Sequence, residues 1–229
     1  MIQKLKVFPK DILFDAAAIK IYCNFTAYKN YGNLYLFFEQ KNEEGQTTAL
    51  ISFGGETAVV YFKDGDEQEL NEFLSFLGAK QVFSNFSFGV KKQECYLLCK
   101  QTEIIGEQPT LIDNTPRKVL EIIKSGLPVF NDDEFVSDLS FRLYNGFAGC
   151  VLNENSAGVI YLTNEFSFIT ALAVLPQKRL NGEGSKALNQ LIKQSKTKDV
   201  FVCCEEHNLQ FYKKNGFLPV SKCAVWERE

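Results

Sequence analysis

The chain has 229 residues, 45% hydrophobic and 23% charged, with a net charge of −3. This supplies apolar material for a core, in one large domain or two small ones. The charge balance gives no field that would recruit nucleic acid, and no apolar run approaches the ~20 residues of a membrane span. The 21 Phe point to a Phe-rich core rather than an aromatic recognition surface. Early lysines open the chain, but Lys10, Asp11 and Asp15 interrupt any signal-peptide core. The seven Cys, at 23, 95, 99, 150, 203, 204 and 223, form no framework or CxxC spacing, and there is one His. We therefore expect free thiols in a reducing cytoplasm, and no metal site.

The first hundred residues alternate between α and β patterns. Asn33–Glu39, Thr47–Phe53 and Thr57–Phe62 are β-branched and aromatic, separated by turn residues at 41–46 and by Gly54-Gly55. Leu70, Phe73, Leu74 and Leu77 make a helical stripe over Glu67–Leu77, with Gly78 at the C-cap position. Strands are expected at Lys80–Phe83 and Glu94–Cys99. Thr102–Asn114 is polar, with Gly and Pro, and divides the chain into expected domains of residues 1–105 and 106–229.

Thr115-Pro116 opens a helix faced by Val119, Leu120, Ile122 and Ile123 and stopped at Gly126. A second helix starts near Asp132-Asp133 and ends at Asn145-Gly146. Three strands follow, at Phe147–Leu152, Val159–Thr163 and Phe168–Val174. Beyond them lie Pro176, the basic pair Lys178 and Arg179, and the loop Gly182-Glu183-Gly184. A helix with Ala187, Leu188, Leu191 and Ile192 inward comes next, then a strand at Asp199–Cys204 and a short helix at Leu209–Lys214. A strand pair, Gly216–Val220 and Ala224–Glu227, closes the chain.

A strand, a glycine loop and a helix together aim free backbone N–H groups at an anion, and the helix dipole adds to the attraction. The stretch Ala171–Leu191 therefore predicts a phosphate-bearing ligand. Gly182-x-Gly184-x-x-Ala187 formally satisfies the dinucleotide fingerprint, with Glu205 about 20 residues on, which would make the protein an oxidoreductase. Against this, residues 176–181 intervene between strand and glycine, and the preceding strands run as a meander rather than βαβ crossovers.

Ala173-Val174-Leu175-Pro176-x-x-Arg179-x-x-Gly182-x-Gly184 resembles the acetyl-CoA-binding signature of the GNAT family of N-acetyltransferases. Asn208 and Tyr212-x-x-x-Gly216-Phe217 resemble its closing motif, so the resemblance spans roughly residues 116–227. It implies an α/β (α+β) fold with a central mixed, mostly antiparallel sheet flanked by helices, preceded by a smaller α/β domain. It also implies an acetyltransferase with acetyl-CoA as co-substrate and a small-molecule or peptide amine as acceptor. A CoA-binding protein without turnover is the second reading.

By the same resemblance, the backbone of Leu172 and Val174 binds the pantetheine amides. Arg179, Leu180, Asn181, Gly182, Glu183, Gly184 and Ser185 offer N–H groups to the pyrophosphate, helped by Lys178 and Lys186. Asn208 contributes to cofactor binding, and Tyr212 protonates the departing thiolate. Candidates for the base are Glu165, Glu205, Glu206 and His207. The acidic run Asp132-Asp133-Glu134 either attracts a cationic amine or serves a helix N-terminus. The first half repeats the coarse element order of a GNAT unit. After its strand at Thr57–Phe62, however, it carries Lys63-Asp64-Gly65-Asp66-Glu67, whose three carboxylates repel a pyrophosphate.

Overall fold

The computed structural model describes residues 1–9, 14–31, 34–108, 115–127 and 131–228. Part of the expected boundary segment, residues 109–114, and Asn33 of the first expected strand lie outside the described residues. In chain order the first elements are β1 (Ile2–Lys4), α1 (Ala16–Tyr28), β2 (Leu36–Lys41), β3 (Thr47–Gly54) and β4 (Thr57–Phe62). They continue with α2 (Glu67–Phe76), β5 (Gln81–Ser84), β6 (Val90–Gln101), α3 (Thr115–Ile123) and α4 (Asp132–Tyr144). The remainder are β7 (Ala148–Leu152), β8 (Ser156–Leu162), β9 (Ser167–Val174), α5 (Glu183–Lys193), β10 (Asp199–Glu205), α6 (Leu209–Lys214) and β11 (Leu218–Glu227). The chain divides into two compact units, Met1–Leu98 with Cys203–Glu229, and Cys99–Val202.

In the first unit the strand order is β1-β2-β3-β4-β5-β11-β6. Strands β2, β3 and β4 run antiparallel, β5 lies parallel to β4, and β11 returns antiparallel to β5. One face, with Ala49, Ile51, Ala58, Val60 and Val82, packs on Leu70 and Leu74 of α2. Helix α1 covers the other face, where Lys20 Nζ sits 3.6 Å from the centre of the Phe83 ring. In the second unit β7, β8 and β9 form an antiparallel meander and β10 lies parallel to β9. Val119 and Ile123 of α3 and Leu139 of α4 pack on Ala148, Cys150, Ala157, Val159, Ala171 and Ala173. Gly158 faces the opposite way, and a Cβ there would lie 2.6 Å from Leu191 Cδ1 of α5. Each unit is thus a mixed, mostly antiparallel sheet between helices. Both use the same sequence of parts: an antiparallel meander, a helix, then a strand parallel to the last of the meander.

Three features differ from the sequence-based expectation. The closing strand pair is a single strand, β11, because Ser221-Lys222-Cys223 carries no turn signal and continues extended. Strand β1 is too short to leave a pattern. Helix α1 is buried along almost its whole length, so AAAIKIYCNFTAY lacks the one-sided stripe that reveals an amphipathic helix. Its N-terminus is fixed by Asp15, which accepts from Ala17 N–H at 2.8 Å and Ala18 N–H at 3.3 Å. Burial pushes the Asp15 carboxyl above its ordinary value, against the lowering effect of those two bonds.

Losing this cap costs about 0.5–2 kcal/mol. Asp15→Ala should lower unfolding free energy by that amount in urea titration. Asp15→Asn keeps the acceptor without the buried charge, and should stay within about 0.5 kcal/mol of the parent.

Candidate functional site: a strand that loses its neighbour and an uncapped helix

Pairing between β9 and β10 consists of Ser167↔Val200, Phe168↔Phe201 and Ile169↔Val202, and ends there. Among the described residues β9 then keeps only β8. The β8 register slips between Val159 and Ile160, so exposed Thr170 faces no partner residue, and such a bulge sharpens local twist. Leu175 N–H donates to Asn155 O at 2.9 Å. Antiparallel alternation then turns the N–H and C=O of Ala173 and Ala171 toward β8, and those of Leu172 and Val174 away from it. Leu172 and Val174 therefore present backbone groups, half-buried, on the side where the parallel neighbour has gone.

The loop begins with a short 3₁₀ turn at Pro176–Lys178. Arg179 then folds back along the main chain, its Nε donating to Val174 O at 3.1 Å and its Nη2 to Ser125 O at 3.3 Å. Gly126 makes room for this: a Cβ there would lie 3.3 Å from Arg179 Nη2 and 3.4 Å from Ala173 Cβ. Next come two left-handed residues, Leu180 at φ 65° and Gly182 at φ 82°, on either side of Asn181. Leu180 is the one non-glycine residue with positive φ among the described residues, and its side chain is fully exposed. Alternating hand is how successive backbone N–H groups come to point into one concavity.

Gly182 is the N-cap of α5 and provides no side chain to cap it. The first intrahelical bond is Lys186 N–H to Gly182 O, at 3.0 Å. The N–H groups of Glu183, Gly184 and Ser185 precede it, so the helix leaves them without an internal partner. Helices α1, α2 and α4, in contrast, are capped by Asp15, Asp66 and Asn131. Lys178 and Lys186 flank the α5 terminus on exposed positions. The loop residues expected from the sequence, 179–185, and the backbone of Leu172 and Val174 all lie in the second unit.

Asn208 and Tyr212 belong to the first unit. Asn208 Nδ2 lies 3.0 Å from His207 Nε2, and His207 Nδ1 lies 3.3 Å from Glu205 Oε2, so the three form a chain at the end of β10. Tyr212 is buried at 7% exposure, its ring edge-on to Phe211 at 5.0 Å and to Phe217 at 5.7 Å. Burial pushes its phenol well above the ordinary value, and the Cys204 and Cys203 thiols add to the shift, so the hydroxyl holds its proton throughout the neutral range. Glu165 stands in the turn before β9, whose eight residues carry the chain about 23 Å from Ser167 to Val174. That separates it from the loop end. The acidic run begins α4: Asn131 caps the helix, Asp132 pairs with Lys124 at 2.7 Å, and Asp133 with Arg117 at 3.6 Å.

The first unit has the same strand-to-helix passage, closed by its own side chains. Asn85 Oδ1 accepts from Phe62 N–H at 2.9 Å and its Nδ2 donates to Phe62 O at 2.8 Å, imitating a strand partner at the end of β4. Asp66 Oδ1 accepts from Glu69 N–H at 3.0 Å, filling the α2 terminus with a carboxylate. Buried Gln40 donates to Asp66 O at 2.9 Å and Glu69 Oε2 at 2.8 Å, and presses its Oε1 against Gly65. The sequence spacing gave no sign of these plugs, nor of the Ser125–Arg179 contact, since each joins residues far apart in the chain.

Residues 121–217 match the model of the acetyltransferase (GNAT) family. No curated protein matches the sequence. Among solved structures, a GCN5-related N-acetyltransferase from Sphaerobacter thermophilus aligns with a TM-score of 0.61 at 11% identity, over 98% of this chain and 94% of that one. Another from Kribbella flavida aligns at 0.59 and 9% identity, over 93% and 94%. A tandem GNAT protein of the clavulanic acid biosynthesis pathway aligns at 0.51 and 8% identity, over 100% and 98%. At these identities the likeness is one of fold, and it extends over both units. Among the described residues, no helix is long and apolar enough to cross a membrane.

A left-handed non-glycine residue costs about 1–2 kcal/mol, and an exposed side chain gains nothing in packing to offset it. Leu180→Gly should raise unfolding free energy by about 0.5–1 kcal/mol after the entropy cost of glycine. A measured loss would mean that the Leu180 side chain stabilises the loop.

Proposed function

We propose that this chain, whose residues 121–217 match the model of the acetyltransferase (GNAT) family, moves the acetyl group of acetyl-CoA directly to a primary amine. The observation that carries the reading is the coincidence, within one unit, of an uncapped α5 terminus and a β9 backbone with one free side. A pyrophosphate carries the charge and the acceptor atoms that the N–H groups of Gly182, Glu183, Gly184 and Ser185 require. A pantetheine arm carries two amides, which can pair with the backbone of Leu172 and Val174 as an added strand would. Arg179 supports this site from behind, by holding the end of β9 against Ser125.

In the proposed reaction the amine attacks the thioester carbonyl. A backbone N–H on the open side of β9 supports the oxyanion, the C–S bond breaks, and Tyr212 gives its proton to the CoA thiolate. The Tyr212 hydroxyl carries its proton when the thiolate departs, and the phenolate is reprotonated as the attacking nitrogen gives up a proton on becoming the amide. The first unit is read as a GNAT-like unit without a CoA site of its own, since Asn85 and Asp66 fill the two positions a cofactor would use. The acceptor is a small-molecule or peptide amine. The neutral amine form must arise before attack, and the Glu205–His207–Asn208 chain is an available relay for that proton.

Tyr212→Phe removes one oxygen. It should lower kcat at least tenfold while the Kd for acetyl-CoA stays within twofold, with amines screened by release of free thiol. Unchanged kcat would remove Tyr212 from the reaction. Acetyl-CoA bound without turnover of any amine would favour the binding-protein reading. In a thermal-shift comparison acetyl-CoA should raise Tm by mass action, whereas NAD and NADP should leave it unchanged; the reverse pattern would support the dinucleotide alternative.

A further inference from the structure

The proposed acetyl transfer makes no use of the densest group of reactive side chains in the first unit. Cys95 of β6, Cys203 at the end of β10 and Cys223 of β11 come together there. Cys203 Sγ and Cys223 Sγ are 3.8 Å apart, and Cys223 Sγ lies 3.8 Å from Cys95 O. The Cys95 thiol interacts with both others, so the three form one hydrogen-bonded set. Cys95 and Cys223 are buried at 8% and 5% exposure, and Cys203 is half-buried. The Lys20 ammonium, held over the Phe83 ring, is close enough to favour negative charge on each of the three sulfurs. Hydrogen bonds from Cys203 and Cys223 pull the Cys95 thiol below its ordinary value against burial. The contact with Cys95 and burial push Cys203 up to about 12 and Cys223 above its ordinary value, so negative charge on the set gathers at Cys95. A cationic neighbour, a shared thiolate and one half-buried member distinguish this set from inert filling.

We propose that Cys95, Cys203 and Cys223 form a thiol–disulfide exchange site, which takes a low-molecular-weight disulfide as co-reactant and closes an internal disulfide at Cys203. Cys203 passes its proton to Cys95 and its sulfur attacks one sulfur of the small disulfide. The S–S bond breaks, the first small thiolate leaves, and a mixed disulfide remains on Cys203. The sulfur of Cys95 or Cys223 then attacks Cys203 Sγ, releasing the second small thiolate. Two protein thiols give up two electrons to the small disulfide, and their two protons pass to the departing thiolates. No metal or further oxidant is needed. No thiol neighbour contributes at Cys150 or Cys99: burial alone pushes Cys150 up to about 11, and burial with Asp199 does the same for Cys99.

The test is equilibration of the full chain with oxidised and reduced glutathione over a range of ratios, followed by acid quench, alkylation and peptide mapping. Titratable thiols should fall from seven to five in one step, and the linked peptide should join Cys203 to Cys95 or Cys223. Cys203→Ser should abolish the linked peptide while leaving Cys23, Cys99, Cys150 and Cys204 unreacted as before. Should that variant fail to fold, the map of the parent protein decides alone. The proposal is overturned if the trio stays reduced while Cys99 or another thiol reacts, or if Cys203 stops at a stable mixed disulfide. The readout is chemical, so it holds or fails independently of acetyl transfer.

Discussion

Past Ile169, strand β9 has a neighbour on one side only among the described residues, and the proposed chemistry follows from that loss. A backbone N–H or C=O turned away from its sheet must find another partner, water or a ligand, because leaving it buried and unmet costs about 1–3 kcal/mol. Arg179 meets one of these needs by donating to Val174 O. The N–H and C=O of Leu172 and the N–H of Val174 remain on the open side. The strand leads into a loop whose left-handed turns at Leu180 and Gly182 deliver the chain to an uncapped helix. Edge and terminus are continuous along the chain, so one extended ligand with amides at one end and phosphates at the other fits both.

The first unit shows how slight the differences are between an open and a closed version of this passage. Its strand order, parallel β4–β5 pair and intervening α2 repeat those of the second unit. What changes is the occupancy of two positions. Asn85 completes the end of β4 with a two-point amide contact, and Asp66 supplies an anion to the α2 terminus. Gln40 then fills the space over Gly65. A helix terminus neutralised by its own carboxylate has little attraction left for a pyrophosphate.

Much of the fold could be read from the sequence because the exposed amphipathic helices and half-buried strands carry their period openly. Glu67–Phe76, Thr57–Phe62 and the meander before the loop are such cases. Helix α1 was hidden because burial on nearly every side erases that period, and β11 read as two strands because its middle residues are polar but extended. The loop was legible for a different reason: glycine spacing after Pro176 and Arg179 reports a backbone geometry that few residues can adopt. Its strain at Leu180 was not, since no rule from composition places a leucine in the left-handed region. Nor did spacing bring Cys95, Cys203 and Cys223 together, because they come from three separate strands.

One unit of this chain, and not the other, is proposed to hold a CoA molecule across β9 and the α5 terminus. Calorimetric titration of the full chain with CoA tests it most directly, alongside a Gly182→Val variant, whose β-branched side chain opposes the left-handed turn at the helix terminus. The parent should bind one CoA per chain, and the variant should bind it at least tenfold more weakly. Two CoA molecules per chain, none, or an affinity unchanged by Gly182→Val would contradict it.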